Sequence, residues 1–265
     1  MGIMNRLEFW WRWLTTDPIA FLIYLVYLFA AILISLILHE VAHAYVAYRC
    51  GDPTAKMLGR LSLNPLKHLD PVGTLALLFL GFGWARPVPV NPRNFGNYRR
   101  DDFLVSIAGI VVNFTLFVFS LALAVAINGL LWNADFLAFY GSRATLSTSG
   151  DVYAALISGQ GNQLTELMRY PWLHYVQRFL MLFYSINLSL AVFNLLPIPP
   201  LDGFHVFNDI ILKGRLRLNP QLFQITQAVL MIAMLTGILG NVLSTITGTI
   251  ENGVLSIFLM ITGKA

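Results

Sequence analysis

Charge is what this chain has least of. Asp, Glu, Lys and Arg make up 11% of its 265 residues, against about 25% in a soluble globular domain. Hydrophobic residues make up 57%. That balance excludes a chain whose bulk sits in water and places it in the membrane class. The polar residues are too scattered to build a separate soluble domain, so one membrane-embedded domain is expected over 1–265. The net charge of +4 does not mark a nucleic-acid face. Its basic residues lie in loops between apolar runs, as membrane proteins arrange them. Cysteine is nearly absent too. Cys50 stands alone, which excludes an internal disulfide and a thiolate zinc cluster. The start, "MGIMNRLEFWWRWLTTDP", lacks an apolar core followed by a small-residue cleavage site and reads as no removable signal peptide. Trp10, Trp11 and Trp13 read as an interfacial belt. No fixed-period repeat or low-complexity tract occurs, and "GSRATLSTSGD" (141–151) reads as an exposed loop.

Long uncharged runs, by contrast, are plentiful. Ile19–Leu38, Phe103–Ala134, Phe179–Leu201 and Leu218–Ile250 each reach the roughly 20 residues that a bilayer crossing takes. Pro71–Ala85 and Asn252–Gly263 are shorter and read as re-entrant, interfacial or short spanning pieces. The first run is expected to continue as helix to about Tyr48, where Arg49 and "CGDP" end it. Lys and Arg crowd segments 49–102 and 202–217 but are sparse in 135–171. The positive-inside rule puts the first two in the cytoplasm and the third outside. Three spans follow: inward for 19–48, outward for 103–134 and inward for 173–201, with the amino terminus outside.

Segment 49–102 carries "TLALLFLGFGWA" despite its basic character. "KMLGRLSLNP" alternates apolar and polar residues and predicts a short strand. "PVPV" fits an edge strand or a polyproline stretch, because proline donates no ladder hydrogen bond. Irregular backbone at membrane depth must be buried or line water, so this region either helps to wet an internal cavity or is an ordinary amphiphilic surface loop.

The ionisable residues in the first run need a reason. His39 and His43, in "LILHEVAHAYV", are four apart and leave one helix face a turn apart. Two imidazoles so placed can hold one Zn2+, with Glu40 beside them as a base. The bland alternative is a helix end whose polar residues face headgroups. Helix is expected for about six residues, roughly 9 Å, beyond His43, which leaves the motif inside the bilayer, where ionisable groups face a pathway or partner. A tetrahedral catalytic zinc takes a third protein ligand. Asp202, in the Pro- and Gly-rich break "NLLPIPPLDGFH", is the candidate, the alternative being an aspartate that only caps a helix. His205 could also ligate, though it lies past the break.

These paired motifs resemble the site-2 protease family of intramembrane zinc metalloproteases. "HEVAH" and "NLLPIPPLDG" match its two signature spans, and "GRLSLNPLKHLDPVGT" with "GWARPVPVNPRNF" is similar to the loop of its compact prokaryotic members. The match runs over about 38–203. The resemblance implies an all-α polytopic membrane protein. Its three-helix catalytic core would span about 18–203 with short re-entrant or β elements, followed by C-terminal helices over about 204–265. It implies His39, His43 and Asp202 as zinc ligands and Glu40 as the catalytic glutamate. "AGIVVN" (108–113) stands for the family's small-residue turn followed by Asn, with Ile110 where proline is usual. Neither a PDZ nor a CBS module is apparent. The implied activity is hydrolysis of a peptide bond in or near a transmembrane segment of another protein, at a multi-pass cell-membrane site open to the cytoplasmic side.

Further donors for the oxyanion or the substrate are Asn194 first, then Asn113 and His68, each with a structural alternative: asparagines hydrogen-bond between helices, and His68 can sit at headgroup level. A non-catalytic zinc-binding scaffold or partner-binding protein would bind metal without needing Glu40. A metal transporter would string polar residues along several spans, whereas here they cluster at one depth.

Overall fold

The computed structural model describes residues 3–80, 85–216 and 219–263. The described residues are helical, and four helices are long and apolar enough to cross a membrane: α2 (Pro18–Arg49), α5 (Tyr98–Leu131), α8 (Leu173–Asn194) and α11 (Ile238–Ile261). A short helix, α1 (Ile3–Thr16), precedes them. The chain divides into two compact units, one formed by Met1–Leu7, Leu33–Phe114 and Ser189–Leu243, the other by Glu8–Ile32, Thr115–Leu188 and Ser244–Ala265.

In the first unit, α2 runs unbroken through the histidines, as its composition predicts, and ends at Arg49. Gly51 follows with φ +101°, a left-handed conformation that favours glycine. Asp52, fully buried, then ties the loop together. Its carboxylate accepts N–H bonds from Thr54, from Asn91 at 2.7 Å and from the Asn94 side chain at 2.7 Å. Burial alone would raise its pKa, but those donors outweigh it and hold the carboxyl below its usual range.

The strand expected in "KMLGRLSLNP" does not form. Thr54–Met57 is a one-turn helix, α3, and Gly59 turns the chain with φ +64° while Lys67 Nζ donates to its carbonyl. Asp52 accepts the N–H of Thr54 at this point, and such local side-chain bonds override a short alternating pattern. Residues 86–91 have no regular secondary structure, and no named strand occurs among the described residues. The β elements expected of the core are corrected accordingly. Asp70 caps α4 (Pro71–Leu80) through a 2.7 Å bond from Gly73 N–H. At ten residues α4 is about 15 Å long, half a bilayer core. The rest of the expected short run up to Ala85 includes 81–84, which lie outside the described residues.

α8 stops at Asn194, and residues 195–201, with Pro197, Pro199 and Pro200, form a tight turn closed by bonds from Ile198 N–H to Leu196 O and from Leu201 N–H to Ile198 O. Gly203 lets this turn close, since a Cβ there would lie 2.3 Å from Leu195 O. Asp202 then opens α9 (Asp202–Ile210) without capping it. The run 218–250 is not one span. α10 (Pro220–Leu235) ends where Gly237 adopts φ +78°, and the fourth span is α11 instead. The segment Asn252–Gly263, expected as a separate short piece, is largely the second half of α11.

In the second unit, α6 (Ala134–Leu146) and α7 (Asp151–Ile157) lie between the long helices in sequence. The stretch 141–151 is no exposed loop. It is helical to Leu146, with Ser142, Thr145 and Ser147 buried. Thr145 bonds Asn128, and Thr148 donates twice to buried Glu251. Buried hydroxyls and amides here satisfy one another, which outweighs the polar composition that made the stretch read as solvated.

Candidate metal centre

Three elements of the first unit converge on one point. α2 supplies His39 and His43, both buried, and the start of α9 supplies Asp202. His43 Nε2 lies 3.0 Å from His39 Nε2. Asp202 Oδ2 lies 3.2 Å from the first ring and 3.3 Å from the second. Donors about 2.0–2.1 Å from a tetrahedral zinc stand about 3.3 Å apart, so the triangle is the size the ion requires. Asp202 Oδ2 is buried without a well-formed hydrogen bond. A carboxylate oxygen and two imidazole nitrogens turned on one another are a donor set for a cation.

α5 orients this set. His43 Nδ1 lies 2.7 Å from the carbonyl of Val105. A carbonyl only accepts, so Nδ1 carries the proton and the Nε2 lone pair of the neutral ring is left for the metal. One turn on, Gly109 packs flat against both rings. A Cβ there would sit 2.4 Å from His39 Cε1 and 2.5 Å from His43 Nε2. Ile110, which stands where the family usually carries proline, packs with Ala191 and Val206 in the core joining α5, α8 and α9.

Glu40 belongs to the same turn of α2 but not to the triangle. Its Oε2 accepts the backbone N–H of Val88 at 2.8 Å, and Val88 is pinned by packing with Ala44 and Ala55. Arg60 donates to the carbonyls of Arg86 and Pro87, which holds the same segment. Glu40, the ligand triangle, Pro87, Val88, Val90 and Asn194 line a cavity of about 670 Å3. At the same cavity, His205 pairs with Asp102 at 3.1 Å, and that hydrogen bond raises the pKa of the imidazole. His205 is therefore partnered outside the triangle.

Of the remaining candidates, Asn194 reaches the cavity, with its amide donating to Leu190 O one turn back. Asn113 and His68 are not among its lining residues. His68 is buried against Ser62 O at 2.6 Å, inside the loop rather than at headgroup level. Two contributors went unforeseen. The Val105 carbonyl has no side-chain signature in a sequence. Gly109 did have one, the small pair in "AGIVVN", whose meaning is close approach rather than a turn.

Comparison with known proteins bears on this geometry directly. The model of peptidase family M50 matches residues 27–238, a stretch that includes every residue of the triangle. The chain belongs to peptidase family M50, the site-2 protease family. Among M50-type relatives, the Bacillus subtilis protein named "Putative zinc metalloprotease YwhC" is 40% identical over 188 residues, covering 71% of this chain and 70% of that one. The Mycolicibacterium smegmatis protein named "Putative zinc metalloprotease Rip2" is 28% identical over 200 residues, covering 72% and 61%. Its Mycobacterium tuberculosis H37Rv namesake is 36% identical over 136 residues, covering 47% and 52%. No solved structure matches the chain.

Proposed function

We propose that this M50 member is an intramembrane zinc metalloprotease. In this reading it hydrolyses a peptide bond in or near a transmembrane segment of a membrane protein, with its site toward the cytoplasmic side of the cell membrane. One observation carries the reading: Glu40 shares a cavity with a metal-sized triangle to which it contributes no ligand. A scaffold needs the triangle alone. His39, His43 and Asp202 would hold Zn2+. When bound, Zn2+ supplies Lewis acidity toward the scissile carbonyl and brings the pKa of a water into the neutral range.

The protein's own groups do the rest. Glu40 accepts a proton from the attacking water and returns it to the leaving amine. The Val88 N–H fixes one carboxylate oxygen; a base uses one oxygen at a time, so the bond orients Glu40 without consuming it. Asn194 can offer its amide to the oxyanion once it releases Leu190 O. The concentration of Lys and Arg in 49–102 supports the cytoplasmic orientation.

A substrate helix shields its peptide bonds, so it must unwind to react. The segment 86–91, without regular secondary structure, borders the cavity and has no strand partner among the described residues. In this reading it offers the edge along which an unwound substrate adds. Val90 is the residue to change, because Val88 is part of a packed cluster. Purified protein is incubated with a pool of single-span peptides in lipid, and the cuts are mapped by mass spectrometry. Wild type is expected to cut within or beside the apolar segments. Val90→Asp is expected to lose at least about tenfold in rate at equal zinc content, by analogy with the cost of a misplaced substrate. Undiminished cleavage by Val90→Asp would remove the strand-addition step; no cleavage of any peptide by wild type would count against the protease itself.

A further inference from the structure

His39 on α2 and Asn113 on α5 each bury polar atoms that have no hydrogen-bond partner. Metal-binding histidines as a rule donate their second ring N–H to an acceptor, which fixes the ring. His43 has one, the Val105 carbonyl. His39 does not: its Nδ1 is buried without a partner. On α5, Asn113 is fully buried, and neither its Oδ1 nor its Nδ2 has a partner. An amide left so is costly inside a membrane helix, which calls for a role.

The helix register supplies one. Val105 meets His43, and Gly109 meets both His43 and His39. Contact thus moves back along α2 as α5 runs forward, so the two run antiparallel here. Asn113 is the next turn of α5 on the face of Val105 and Gly109. Side chains on a helix lean toward its N-terminus and cover the preceding turn. For Asn113 that is the turn of Gly109, against which His39 is packed: a Cβ there would lie 2.6 Å from His39 Nδ1.

We propose that Asn113 is a positioning residue: its side-chain oxygen accepts the Nδ1–H of His39, reached by a rotation of the amide toward the turn of Gly109, and so sets the tautomer and tilt of that ligand. This rests on the metal-centre reading above and gives Asn113 a role on the ligand rather than on the oxyanion. The Gly109–Asn113 spacing is then one device: the glycine lets the ring approach α5 and the asparagine holds it there.

The test is zinc affinity, measured by chelator competition on the purified full chain, for wild type, Asn113→Leu and Asn113→Asp. The visible spectrum of the Co2+-substituted proteins and the melting temperature of each variant are recorded alongside. Loss of such an outer partner lowers metal affinity about 10–100-fold. Asn113→Leu is expected to fall in that range with a shifted Co2+ spectrum, whether or not its melting temperature moves. Asn113→Asp keeps an acceptor of the same size and is expected to retain affinity within about threefold, on the same basis. If wild type binds zinc and folded Asn113→Leu binds it equally well, the inference fails while the metal centre stands. Should Asn113→Leu not fold, a 10-fold or greater loss in Asn113→Asp also overturns it. Wild type without zinc at this site would overturn both.

Discussion

Glu40→Gln is expected to lower peptide hydrolysis by about 10²–10⁴-fold, the range over which a positioned general base acts, while zinc content stays at the wild-type level. The substitution suits the geometry. Gln has the same length, and its side-chain oxygen can still accept the Val88 N–H that now holds Glu40 Oε2. Position is kept and basicity is lost. Glu40 lies outside the His39–His43–Asp202 triangle, so the metal has no reason to leave. Paired assays of zinc per chain and peptide turnover on the two purified proteins check this. Turnover within tenfold of wild type would show that Glu40 is not the base. Zinc lost together with activity would make Glu40 a ligand.

Gly109→Ala is expected to disable the centre without unfolding the protein. Two effects oppose each other. Alanine is favoured over glycine inside a helix by about 1 kcal/mol, so the helix itself gains. The new methyl, however, would lie 2.4–2.6 Å from atoms of both imidazoles, well inside the roughly 3.5–4.0 Å of ordinary contact. The rings have little freedom to yield, because His43 is tied to Val105 O and both face Asp202. Overpacking of this kind costs about 1–3 kcal/mol, and here it falls on the ligands. Zinc affinity is therefore expected to drop about 10–100-fold, the size of 1–3 kcal/mol, and hydrolysis with it, with little change in the melting temperature of the zinc-free protein. Wild-type zinc affinity in Gly109→Ala would mean that the close approach has no bearing on the ligands.

The clustering of His39, His43 and Asp202 was legible because such groups are costly in an apolar run. Two histidines and a glutamate within an apolar run demand a partner, and the four-residue spacing of the histidines by itself puts both rings on one helix face. Asp202 was legible through the proline-rich break around it, though only the family resemblance chose it over a capping role. What held the ligands was less visible. The Val105 carbonyl acts through backbone, which every residue has, so nothing distinguishes it in a sequence. The alternation in "KMLGRLSLNP" suggested a strand because periodicity weighs side chains and ignores the local Asp52–Thr54 bond and the turn at Gly59. The run 218–250 looked like one span because hydropathy does not register the left-handed turn at Gly237. The polar stretch 141–151 looked solvated because composition cannot reveal that Asn128 and Glu251 wait to satisfy it. In each case the sequence reports what a residue prefers, and the outcome depended on which distant group it met.

The central claim is one zinc ion held by two imidazoles of α2 and the carboxylate of Asp202. Zinc-edge X-ray absorption on the purified wild type and on Asp202→Ala tests it most directly. The expected result is one zinc per chain in the wild type, with nitrogen and oxygen ligands at about 2.0–2.1 Å and the multiple-scattering signature of two imidazoles, and a lost or altered shell in Asp202→Ala. A wild type without stoichiometric zinc, or an identical shell in the two proteins, would contradict it.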